Sequence, residues 1–164
     1  MNDYRIGIEQ NLAPIVLEFF ATFSRFEFAL KRGNYAAGDE GKKASPDWNG
    51  FAGDLGVDFF KQMEAADAAR IFFEAPPKRL TIKVGGGVEF TDQDKLTNTQ
   101  MLLAAVGLVR NNLFHGEKIW IGDRDEALIR ASLFVLDSAY AAANARQDMR
   151  QVCAAFRHAQ INPH

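Results

Sequence analysis

The strongest constraint on the fold lies between residues 11 and 32. Leu12, Ile15, Val16, Phe19, Phe20, Phe23, Phe26 and Leu30 recur at steps of three and four. That spacing lines them along one face of an α-helix, and a face so apolar must be buried. Glu18, Arg25 and Lys31 fall largely outside the stripe. Lys31 and Arg32 suit the negative end of the helix dipole, and Gly33 follows as a stop.

The same periodicity returns further on. Residues 36–45, rich in Ala, Gly, Asp, Glu and Lys, read as a loop. Ser45-Pro46-Asp47 supplies a capping hydroxyl and then Pro at a first helical position. Trp48, Phe51 and Leu55 follow at helical spacing, but Gly50, Gly53 and Gly56 predict a short or broken helix. Residues 57–74 read as a firmer helix with Phe59, Phe60, Met63, Ala66, Ile71 and Phe72 inward, ended by Pro76-Pro77. A third helix is expected over 98–114, inward at Met101, Leu102, Ala105, Leu108, Val109 and Leu113. A long fourth, capped by Asp123, carries Leu128, Ala131, Val135, Ala139 and Ala142. A last one near 147–158 carries Met149, Val152 and Phe156.

Residues 79–91 break the pattern. Leu80-Thr-Ile-Lys-Val84 and Val88-Glu-Phe90 alternate around Gly85-Gly-Gly87, which fits a short β-hairpin or a flexible loop. The glycines are no phosphate-binding loop, since no Lys-Ser/Thr pair and no helix follow them directly. The fold expected is all-α: one domain over residues 1–164, an up-and-down bundle of four to five helices with a short β-hairpin or loop insertion.

Composition fits that fold. The chain has 14 Phe against 3 Tyr, an aromatic usage suited to a packed core. Its one cysteine, Cys153, lies in an apolar stretch, reads as a small buried hydrophobe, and points to a reducing compartment. Met1-Asn-Asp-Tyr-Arg5 lacks the pattern of a signal peptide, and no segment has the length of a membrane span, so a cytoplasmic protein without membrane contact is expected. A net charge of -2 and a pI of about 5.9 give no overall basic character for nucleic acid.

Chemistry concentrates in Val109-Arg-Asn-Asn-Leu-Phe-His-Gly116 at a helix end. Asn and Gly there have a structural use, satisfying the last carbonyls and turning the chain. Arg110 and His115 are roughly 140° apart on a continuous helix at 3.6 residues per turn, so sharing a cavity requires the helix to loosen at Asn111-Asn112. Arg and His suit RNA cleavage by its own 2′-hydroxyl. His moves protons near neutral pH, and Arg offers a permanent planar cation to the phosphate. Asn111 can orient a phosphate or the guanidinium. The sequence shows no HExxH, no paired Cys and no compact acidic cluster, so neither a metal nor another cofactor is expected.

The Arg110-Asn111…His115 string resembles the signature of HEPN domains (higher eukaryotes and prokaryotes nucleotide-binding): Arg, a polar residue, and His after four to six intervening positions. Phe23-Ser-Arg-Phe-Glu-Phe-Ala-Leu-Lys31 resembles the family's first long helix, where an acidic residue, here Glu27, often faces the Arg/His site. The resemblance implies a four-helix bundle and a homodimer with the motifs meeting at its interface. It further implies, in many members, metal-independent ribonuclease activity in toxin or phage-defence systems, some with an antitoxin or nucleotidyltransferase partner. The catalytic set so implied is Arg110, His115, Asn111 and Glu27. Residues 36–97 carry no resemblance. Arg157 and His164 repeat the bare spacing in a polar tail and are set aside, and Lys118, Trp48, Trp120 and His158 are assigned no role. Two other readings stand beside the ribonuclease: a non-catalytic nucleotide- or partner-binding module, and a structural dimerising bundle.

Overall fold

The structure, a computed structural model, describes residues 13–114 and 121–161, the last three in backbone only. The described chain is mostly helical, with two small antiparallel hairpins. Helix α1 spans Pro14–Arg32, with proline in its first turn and Lys31 and Arg32 in its last. Val16, Phe19, Phe23, Phe26, Ala29 and Leu30 are its buried face. Gly33 ends it for a reason other than a left-handed turn. Its φ is -104°, but a Cβ there would stand 2.6 Å from the Val152 Cα. The left-handed residue is the next one, Asn34, at φ 74°.

The segment expected as a plain loop carries a minimal ladder, in which β1 (Ala36–Ala37) pairs with β2 (Ser45–Pro46). Ser45 is thereby taken into the ladder, and the cap of α2 (Trp48–Ala65) falls to Asp47 instead, whose carboxylate accepts from the Gly50 amide at 2.9 Å. Helix α2 breaks at Gly56, where φ is 77° and ψ -171°. The Thr99 hydroxyl donates to the Gly56 carbonyl at 2.6 Å, meeting a polar group the break leaves over.

The single helix expected over 57–74 is interrupted. Ala66 is extended, Asp67–Ala69 form a 3-10 turn, and only Ile71–Glu74 (α3) resume the helix. This turn packs against α5 (Asp123–Ala145) and brings Ala69 and Phe72 to full burial. A straight helix would have carried the chain past that contact.

Strands β3 (Arg79–Ile82) and β4 (Val88–Thr91) form the hairpin in the register Leu80 to Phe90 and Ile82 to Val88. All three glycines between them have positive φ, a region glycine enters without the steric cost that a Cβ brings. Helix α4 follows as Thr99–Phe114, capped by Asn98, which accepts from the Met101 amide at 2.8 Å. Helix α5 is preceded by Gly122 as its N-cap, so Asp123 is its first residue and not its cap. Asp123, Asp125 and Glu126 still place negative charge at its positive end. The last helix, α6, runs Arg150–Ile161 and starts later than expected, because the Arg146–Met149 segment is spent on the reversal from α5.

A hydrophobic core draws on all six of these helices. Helix α1 packs on α6 and α5, and α2 packs on α4 and α5. No helix among the described residues is long and apolar enough to cross a membrane.

Candidate functional site

Two helix faces make the site. On α1, Phe20, Phe23 and Glu27 stand three and four residues apart. On α4, Arg110 and Phe114 stand four apart. Such spacings stack side chains on one face. The Arg110 guanidinium carbon lies 5.3 Å from the centre of the Phe23 ring and 5.7 Å from that of Phe114. Phe114 in turn meets Phe20 edge-on at 5.7 Å. The cation is thus held by two aromatic rings, an attraction of about 0.5–2 kcal/mol per contact depending on how dry it is.

Its polar partners direct it. Arg110 Nη1 donates to Asn111 Oδ1 at 2.8 Å, and Nη2 lies 3.6 Å from Glu27 Oε2. The second distance is that of an ion pair rather than a hydrogen bond. With the Arg110 and Glu27 side chains 34% and 30% exposed, the pair contributes no more than about 1 kcal/mol. Among the described residues, Asn111 is the one hydrogen-bond acceptor of this guanidinium. The arrangement presents a positioned, partly open cation with directional N–H groups, suited to an oxyanion such as a phosphate.

Three of the four expected residues therefore meet: Arg110, Asn111 and Glu27. His115 lies outside the described residues, as do Lys118, Trp120 and His164. The loosening expected at Asn111-Asn112 does not occur, since α4 is continuous to Phe114. The two asparagines divide their work: Asn112 turns away from Arg110 and donates to the Lys78 carbonyl at 2.8 Å, tying the base of the hairpin to α4. His158 borders a shallow groove with Phe28 and Arg32 between α1 and α6.

The sequence reading missed the aromatic cradle. Phe20 and Phe23 were counted as core, and Phe23 is indeed buried, yet its ring also carries Arg110. Phe114 is 72% exposed, and its four-residue step from Arg110 was the signal available. Trp48 supports the cradle from below, stacked on Phe23 with ring centres 5.1 Å apart.

Elsewhere the chemistry is quiet. Cys153 is fully buried, and burial pushes its thiol above the ordinary cysteine range, away from nucleophilic use. Among the described residues no group of three or more His, Cys, Asp or Glu is gathered to hold a metal ion. No protein-family model, no curated protein and no solved structure matches this chain.

Proposed function

We propose that the chain is a metal-independent endoribonuclease of the HEPN type, an up-and-down helical bundle acting as a homodimer. The observation that carries this reading is the Arg110 guanidinium, aimed by Asn111 and Glu27, cradled by Phe23 and Phe114, and a third exposed at the end of α4. The residue that the resemblance pairs with it, His115, is next after Phe114 in the chain.

The reaction needs no outside reagent. The RNA 2′-hydroxyl attacks the adjacent phosphorus as a base takes its proton. The bond to the 5′-oxygen breaks, and an acid returns a proton to that oxygen. The products are a 2′,3′-cyclic phosphate and a 5′-hydroxyl. His115 serves in proton transfer. Arg110 neutralises the phosphoryl oxygens as charge builds on them, while Asn111 and Glu27 hold it in line. One His per motif supplies one proton-transfer group, so two motifs facing across a dimer would supply the acid and base together and double the positive charge. That dimer, and any role as a toxin or defence effector with an antitoxin or nucleotidyltransferase partner, belong to the same proposal.

A second reading, a non-catalytic binding module, draws on the hairpin, where Ile82, Val84 and Val88 are 82%, 106% and 52% exposed. Exposed apolar groups gathered on one element mark protein partners more often than RNA.

Cleavage of total RNA in EDTA by the wild type, Arg110→Ala and His115→Ala tests the choice, with circular dichroism to show that each is folded. Under the ribonuclease reading the wild type yields 2′,3′-cyclic phosphate ends and each variant loses about a hundredfold or more in rate. A folded, dimeric wild type that cuts nothing leaves the binding module. Linear 3′-phosphate ends formed only with added metal would overturn the mechanism.

A further inference from the structure

Helices α1 and α6 leave a shallow groove between them, with Phe28, Ala154 and Ala155 as an apolar floor and Arg32, Gln151 and His158 at its edges. We propose that this groove is a docking site for an acidic amphipathic helix of a partner protein. It stands apart from the Arg110 site. Glu27, which faces Arg110, and Arg32 are five residues apart, about 140° around α1 at roughly 100° per residue. The proposal therefore does not rest on the ribonuclease reading.

Charge points to an acidic occupant. The chain has a net charge of -2, yet these two helices run the other way. Helix α6 carries Arg150, Arg157 and His158 and no Asp or Glu. From residue 25 onward α1 adds Arg25, Lys31 and Arg32, and the carboxylate among them, Glu27, is turned to Arg110. The Arg25 guanidinium carbon lies 5.5 Å from the centre of the Phe156 ring, and that of Arg32 5.7 Å from the centre of Phe28. Neither arginine makes an ion pair among the described residues. A guanidinium laid over a ring is positioned by it and keeps its edge N–H groups for an acceptor.

Shape points to a helix. The floor is apolar, and the two alanines leave room for side chains from outside. A third helix lying along α1 can bury an apolar stripe there, as in other helix-in-groove complexes. Arg25 and Arg32 are seven residues apart, about 10 Å along α1 at roughly 1.5 Å per residue. Two carboxylates seven residues apart on a helix lying beside α1 match that step. An RNA strand is matched less well. Unpaired nucleic acid is held largely by stacking its bases on open aromatic faces. The Phe156 ring is packed by Phe26 and Tyr140 at 5.1 and 5.2 Å and capped by Arg25, while Arg32 lies over Phe28.

The probe is a fluorescein-labelled, Ala-rich helical peptide with Leu at i, i+4 and i+7 and Glu at i+1 and i+8. It is titrated with the full chain at low salt and followed by anisotropy and by NMR of the Ala154 and Ala155 methyls. Saturable binding with a Kd of about 100 µM or tighter and shifts of both methyls are expected. Arg32→Glu, with folding checked by circular dichroism, should weaken binding about tenfold or more, since a like charge then meets the peptide. A peptide with Lys in place of both Glu should bind Arg32→Glu and not the wild type. Ala154→Glu, at an exposed position, should weaken the acidic peptide in the same way if the first variant fails to fold. No saturable binding by the wild type, or equal binding of the Glu and Lys peptides, overturns the proposal. So does a short 2′-O-methyl oligouridine that displaces the peptide and shifts the same methyls, which would make the groove a nucleic-acid track.

Discussion

Glu27 sits 3.6 Å from Arg110, close enough to orient it and too far to saturate it. The rings of Phe23 and Phe114 hold the same guanidinium by its faces, leaving its edge to polar partners. Glu27→Gln should accordingly leave stability within about 0.5 kcal/mol of wild type, as for other partly exposed pairs. Under the proposed ribonuclease reading, the same change should cut RNA cleavage about tenfold, because the cation loses its aim. Urea unfolding and RNA cleavage rates measured side by side check both halves. A loss of stability with unchanged cleavage would make Glu27 structural. At this scale the sequence was legible where residue type and chemistry coincide. Arg110 could be singled out by its chemistry, and Asn111 and Glu27 by the resemblance to HEPN domains. Phe23 could not, since one ring serves the core and the cation together, and a periodic pattern records only the first use.

Among the elements, α2 shows how a helix can be broken without loss. Gly56 leaves the helical region, and Thr99, only 2% exposed, donates to its carbonyl. Thr99→Val keeps the shape and removes the donor, which strands a buried carbonyl at a cost of about 1–3 kcal/mol. Thermal and urea unfolding should show a loss of that size, whereas a neutral result would mean that the carbonyl finds another donor. The glycines of α2 announced this break, because they are poor helix formers. The second interruption, at Ala66, was hidden: the apolar spacing from Phe59 to Phe72 runs on as though the helix did. What breaks it is the packing of Ala69 and Phe72 against α5, a tertiary demand that local pattern does not record. Gly33 is the converse case. The sequence marked it as a stop, but the structure requires it for the close passage of α6 at Val152.

Across the molecule, one polar clasp joins segments far apart in sequence. The buried Tyr35, just beyond α1, donates to the Asp54 carboxylate of α2 at 2.6 Å. Arg146, between α5 and α6, donates to the Asp54 backbone carbonyl and pairs with Asp148. Burial first, and the Asp54 carboxylate second, push the Tyr35 phenol above its ordinary range. A raised value stabilises the fold fully below the unfolded tyrosine pKa of about 10, and that contribution is lost as pH rises through the folded value. Tyr35→Phe should therefore lower stability by about 1 kcal/mol at pH 7, with the gap closing above pH 10. Denaturation of both proteins across pH 7–11 measures it, and a gap that widens with pH would contradict the assignment. The helical architecture was legible from its periodic stripes, while this clasp was not, since nothing in the local sequence links Tyr35, Asp54 and Arg146.

The stack of Trp48 on Phe23, with Arg110 on that same ring, has an optical consequence. The buried indole N–H of Trp48 finds no acceptor among the described residues, so its emission reports an apolar setting one ring away from the guanidinium. The chain has only two tryptophans, and Trp120→Phe would leave Trp48 as the sole emitter. Anything that draws Arg110 off Phe23 would then be read as a change in colour and intensity, giving the protein a built-in fluorescent gauge of occupancy at its own site.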